Sequence, residues 1–94
     1  MFVLHVDLTI KPMSKEALER TYLEIFEPAI SSQEGFTALS LLRPLGDEEE
    51  YRLSIAFDRQ ASQQKWVASD LHRQVWPQME SHCAGYSVKL YNTV

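Results

Sequence analysis

Trp66, His72 and Trp76 crowd one stretch of the chain and are the residues best equipped for chemistry. An imidazole titrates near neutrality and can take a proton from a substrate. An indole offers a flat apolar wall with a single N–H donor. If Ser69 is an N-cap and the chain is helical from Asp70, then Leu71, Val75, Met79 and His82 form one stripe at three- and four-residue steps. His72, Trp76 and Cys83 run along its edge, while Arg73, Gln74, Glu80 and Ser81 point away. His72 and Trp76 are therefore neighbours at the border of an apolar face, where they can line a small-molecule pocket or simply complete a core. Pro77 inside the stretch predicts a bend.

Other potential sites are weaker. His5 and Asp7 share one face of a strand, and Arg52 can approach them if their strands pair. His-x-Asp is a poor metal pattern, and His82-Cys83 has no evident further ligands, so no metal is expected. Gly35, Gly46 and Gly85 fall at turns, which leaves no phosphate-cradling loop and no motif for a nucleotide or flavin. The serines lack the glycine-flanked turn of a hydrolase nucleophile. Tyr22 and Tyr51 belong to helix-facing sets, where a buried phenol needs a partner and either could orient a substrate oxygen.

The totals narrow the class. With 94 residues the chain has room for one domain, spanning 1–94. A net charge of −4, with a run of acids from Asp47 to Glu50, argues against a nucleic-acid partner. Cys83 is the only cysteine, so an internal disulfide is excluded and a reducing, cytoplasmic setting is expected. The opening Met1-Phe2-Val3-Leu4-His5-Val6-Asp7 has no basic leader, and no apolar run is long enough to cross a bilayer, so neither signal peptide nor membrane partner is expected.

Periodicity places the elements. Phe2, Leu4, Val6, Leu8 and Ile10 alternate with Val3, His5, Asp7, Thr9 and Lys11, which reads as a strand with one apolar face, ended by Pro12. Ser14 should cap a helix burying Leu18, Tyr22, Ile25, Phe26 and Ala29, with Pro28 distorting its last turn. Phe36 to Arg43 reads as a second strand, Pro44 to Glu50 as a solvated loop, and Tyr51 to Asp58 as a third strand with Tyr51, Leu53, Ile55 and Phe57 inward. Asp58 or Ser62 can cap a helix carrying Trp66, and Gly85 should release the chain into a last strand with Tyr86, Val88 and Leu90 on one face. The order β-α-β-β-α-(α)-β predicts an α+β fold: the ferredoxin-like split βαβ sandwich, four antiparallel strands with helices on one face. The open face should carry His5, Asp7, Thr9, Arg52, Ser54, Ala56, Asp58, Lys89 and Tyr91 with Leu39 and Leu41, and burying it against a second copy would make a homodimer.

Across essentially its whole length this pattern resembles the antibiotic biosynthesis monooxygenase domain, a branch of the dimeric α+β barrel superfamily. The residues that carry the resemblance are Val6-Asp7-Leu8-Thr9-Ile10-Lys11, the Glu34-Gly35-Phe36 turn, and Ile55-Ala56-Phe57-Asp58 leading to Trp66-Val67-Ala68-Ser69. The resemblance implies paired sheets closing a barrel about a two-fold axis, with a ligand pocket between sheet and helices in each protomer. It also implies one of two activities. Haem-degrading members use an asparagine on strand one, a tryptophan on helix two and a histidine further on; here Trp66 fits, but Val6 and Trp76 stand in the other two places. Cofactor-independent members oxidise phenolic or anthrone-like substrates whose deprotonated form hands electrons to dioxygen, and there Ser62 stands where an asparagine occurs one turn before the tryptophan.

The leading expectation is thus a monooxygenase without a bound cofactor, acting on a small aromatic or quinol-like molecule. His72 would be its base, and Trp66, Trp76, Tyr22 and Tyr51 its pocket. A non-catalytic domain that binds a small apolar ligand or only dimerises is the alternative, and haem breakdown is third.

Overall fold

The computed structural model describes all of residues 1–94. Its core is a sheet of β1 (Phe2–Ile10), β2 (Phe36–Leu42), β3 (Glu50–Phe57) and β4 (Cys83–Asn92) in the order β2-β3-β1-β4, every neighbour antiparallel. Over one face lie α1 (Lys15–Thr21), a π-helical turn (Tyr22–Phe26), α2 (Glu27–Ser31), α3 (Gln60–Ala68) and α4 (Asp70–Glu80). This is the four-stranded, single-sided α+β arrangement expected from the periodicity. No helix is long and apolar enough to cross a membrane.

The alternation on β1 places Phe2, Leu4, Val6, Leu8 and Ile10 in the core, and its partner β3 contributes Tyr51, Leu53, Ile55 and Phe57. Leu8, Leu53, Leu18 and Met79 are fully buried, each worth about 1.5–3 kcal/mol of transfer free energy. The first helical run stays continuous by widening: the Glu27 N–H reaches back to Tyr22 O, and Pro28 follows at the start of α2. Proline has no N–H and its ring crowds the preceding turn, which a wider turn accommodates. Gly35 turns the chain at φ +80, and a Cβ there would come closer than 3.0 Å to both Asp58 and Ser62.

Several local expectations are corrected. Leu39 and Leu41 pair with Ile55 and Leu53 and so face the helices; Ala38, Ser40 and Leu42 take the open face instead. The cause is a register shift between Phe36 and Ala38, one extra residue that turns the rest of the strand over. Ser14 occupies the N-cap position of α1, but its hydroxyl bonds to Pro12 O rather than to a helical N–H. Neither Asp58 nor Ser62 caps α3, whose N-cap is Arg59 without a side-chain bond. α4 ends at Glu80 and β4 begins at Cys83, before Gly85, so His82 and Cys83 lie beyond the helix rather than along its stripe. There His82 Nε2 meets Thr21 Oγ1 at 2.9 Å.

Candidate functional site

The break between α3 and α4 builds the site. Ser69 is extended and ends one helix while starting the next; its hydroxyl donates to Trp66 O at 2.6 Å and accepts the His72 N–H at 3.2 Å. One side chain therefore fixes where both rings leave the backbone. The His72 ring meets the Trp66 ring edge-on, centroids 5.1 Å apart at 84°, and lies nearly parallel to Trp76 at 6.3 Å and 17°. Phe26 closes the group from the π turn, 6.2 Å from Trp66 and 6.3 Å from Trp76. From the sheet, Tyr86 meets Trp76 edge-on at 5.2 Å. Such edge-to-face pairs set positive ring edges against negative faces and fix ring orientation as well as burying area.

These rings roof a half-open cleft of about 230 Å³. Leu4, Val6, Leu53 and Ile55 form its floor, and Tyr86, Val88 and Leu90 on β4 its far side. The β4 side chains line up because they pair with Leu8, Val6 and Leu4 on β1. They are 48%, 47% and 56% exposed, whereas Trp66 is only 3% exposed, because the helices leave most of β4 uncovered. An empty apolar cavity of roughly 150 Å³ is known to admit benzene, so this space suits one ring with substituents or a small fused pair.

Eleven of the thirteen lining residues are hydrophobic, and the other two are Gln63 and His72. His72 is partly buried, and the loss of solvation, reinforced by the neighbouring Arg73 charge, holds its imidazole below the usual histidine value. Burial thus favours the neutral ring, the form that accepts a proton.

The structure brings together Trp66, His72 and Trp76 and leaves Tyr22 and Tyr51 elsewhere. Tyr51 is sealed beneath α1, its hydroxyl donating to Glu19 Oε2 at 2.5 Å. Arg43 donates twice to the same carboxylate. Arg43 first and then the Tyr51 hydroxyl hold Glu19 down at about 2, while burial and then the Glu19 carboxylate push the Tyr51 phenol up. Tyr22 lies beside this clamp, in a separate depression with Leu23 and Leu41. The register explains the separation: Tyr51 and Tyr86 both pair with Leu8, from opposite sides.

Ser62 is buried and its hydroxyl is turned to the Asp58 carboxylate, away from the cleft. Sequence reasoning placed only Trp66, His72 and Trp76 of the thirteen lining residues in the pocket, and among those it missed, Phe26, Gln63 and Tyr86 are the ones that bring a ring or a polar group. Gln63 stands three residues before Trp66 on the same helix, a spacing that puts both on one face. No cluster of three or more His, Cys, Asp or Glu side chains is positioned to hold a metal.

Comparison with known proteins adds the relatives. Residues 1–77 match the family model for antibiotic biosynthesis monooxygenase. A search of curated sequences gives no match. Among solved structures, a conserved protein from Methanosarcina mazei Go1 superposes with a TM-score of 0.85 at 13% identity, over 99% of this chain and 92% of that one. SnoaB from Streptomyces nogalater, a cofactor-independent oxygenase, gives 0.86 at 13% identity over 98% and 91%. MhuD, with two manganese protoporphyrin IX molecules bound per active site, gives 0.82 at 19% over 100% and 95%. At these identities the structural likeness establishes the fold.

Proposed function

We propose, from the premise that this chain belongs to the antibiotic biosynthesis monooxygenase family, that it oxidises a small aromatic ketone or quinol-like molecule with dioxygen and without a bound cofactor. The observation that carries this reading is a partly buried imidazole, His72, set edge-on against Trp66 at an apolar cleft of one- to two-ring size.

The chemistry suits an anthrone-type ring methylene, conjugated through its flanking unsaturated carbons to a carbonyl across the same ring, as in the keto form of the two-ring 1-naphthol. His72 takes a C–H proton, and the resulting carbanion gives its electron pair to dioxygen, forming a C–O bond. The peroxide, protonated to a hydroperoxide, then loses water as the remaining C–H breaks, so that the ring methylene and one dioxygen become a ring carbonyl and one water. The substrate is the reductant. What the protein contributes is a dry wall of Trp66, Trp76 and Phe26, an acceptor for the proton, and a fixed orientation. SnoaB, of the same fold, is a cofactor-independent oxygenase.

A second copy on the open sheet face belongs to the same reading. That face holds the Asp7–Arg52 ion pair at 2.8 Å and the His5–Tyr91 ring contact at 5.1 Å, a mixed surface that a two-fold partner can match. The lone thiol of Cys83 supports a cytoplasmic setting as part of this reading. Non-catalytic binding of a small apolar ligand is the second reading, favoured by there being so few polar groups in the cleft. Haem breakdown is not favoured: Val6 and Trp76 are both lining residues, where a haem-degrading site would present polar groups.

Oxygen uptake with 1-naphthol, a two-ring counterpart of anthrone that matches the size of the cleft, decides between them. Uptake of one dioxygen per quinone formed, reduced in His72→Ala, supports the oxidation. Equal rates in the two proteins remove His72 as the base, and no uptake by the wild type leaves binding alone.

A further inference from the structure

We propose that Gln63 is the residue that selects and holds the ligand, its carboxamide N–H donating to a ring carbonyl oxygen. This rests on the cleft being the ligand site, and it assigns the second half of the polar equipment. His72 supplies an acceptor for a proton; the oxygen that gathers negative charge as the proton leaves needs a donor. The only other non-hydrophobic side chain of the cleft is Gln63.

Three features fit it for that work. Gln63 lies on α3 one turn before Trp66 and Val67, which are also lining residues, so its side chain leaves the helix on the cleft side. It is partly buried, and whereas its backbone N–H is taken by Arg59 O, its carboxamide is left without a protein partner. The neighbouring hydroxyl cannot substitute, since Ser62 is buried against Asp58. A carboxamide also donates at every pH, unlike an imidazole.

No lysine, arginine, aspartate or glutamate lines the cleft. An anionic ligand would lose its hydration there without gaining a counter-charge. The occupant is therefore a neutral cyclic ketone or phenol, and a carboxylated analogue is rejected. Tyr86 and the two indoles are competing donors, but the Tyr86 ring stands at the exposed side of the cleft.

The test compares two ligands that differ by one oxygen, 1-tetralone and tetralin, titrated into 15N-labelled protein and followed by the tryptophan indole signals. In Gln63→Leu, 1-tetralone should bind about five- to tenfold more weakly than to the wild type, while tetralin binds as well or better. The unaltered tetralin affinity shows that the variant is folded. Tyr86→Phe, which removes the competing phenol, and Tyr51→Phe, outside the cleft, should keep the wild-type ratio of the two affinities. A ratio unchanged by Gln63→Leu overturns the assignment, as does one abolished by Tyr86→Phe. Failure of both ligands to bind the wild type overturns the cleft as well. If ketone selectivity depends on Gln63 while 1-naphthol consumes no oxygen, the assignment stands and the oxidation falls.

Discussion

The imidazole of His72 stands edge-on against the indole of Trp66, ring centroids 5.1 Å apart, although a helix ends and another begins between them. Ser69 holds that arrangement by bonding to both backbones. Ser69→Ala should therefore cost about 1 kcal/mol of stability, as lost N-caps do, and should also weaken ligand binding. Ser69→Asp restores a cap for the His72 N–H but cannot donate to Trp66 O. It should recover the urea midpoint without recovering the affinity for 1-tetralone.

His72 carries a pH signature. Its folded value lies below the usual 6.5 because burial disfavours the charged ring, so the folded state binds fewer protons than the unfolded one in that window. Stability from this group is complete above about 6.5 and is lost as pH falls from there through the lower folded value. His72→Gln should flatten that part of the stability profile in urea titrations. In oxygen-uptake assays the wild-type rate should fall on the acid side as the ring protonates.

Glu19 acts at lower pH. Its carboxyl is lowered from 4.5 to about 2, first by Arg43 and then by the Tyr51 hydroxyl. Stability linked to it should be retained above 4.5 and lost as pH falls towards about 2. Glu19→Gln should remove this acid sensitivity from denaturant titrations. Tyr51→Phe should leave the affinity of the Trp66 cleft unchanged, because Tyr51 is bonded beneath α1 and does not line it.

Which parts of this were legible in the sequence depends on how local the cause is. β1 and the α4 stripe follow from spacing alone, and Ser69 was identifiable as a cap because Trp66 and the apolar period lie on either side of it. The faces of β2 were not, because Phe36 and Leu39 both point inward at an odd spacing made possible by an extra residue. Trp66, His72 and Trp76 could be grouped by helical period, whereas Phe26 reaches them from another helix and Tyr86 through its strand pairing. Tyr22 and Tyr51 share the inward face with the cleft residues, and only the register shows that Leu8 stands between Tyr51 and Tyr86.

Gly35 and Met79 test the frame that holds the cleft. Gly35→Ala would place a Cβ against Asp58 and Ser62 at positive φ, so it should destabilise by more than about 1 kcal/mol. Met79→Ala, in a fully buried position on α4, should cost about 2–5 kcal/mol. Thermal and urea unfolding would read both.

Titration of 15N-labelled protein with 1-tetralone tests most directly whether the space beneath Trp66 receives a guest. The indole N–H signals of Trp66 and Trp76 should shift together with the amides of Tyr86, Val88 and Leu90, saturably and at one site. Shifts confined to the open sheet face or to the Arg43–Glu19 region, with both indole signals unmoved, would contradict it.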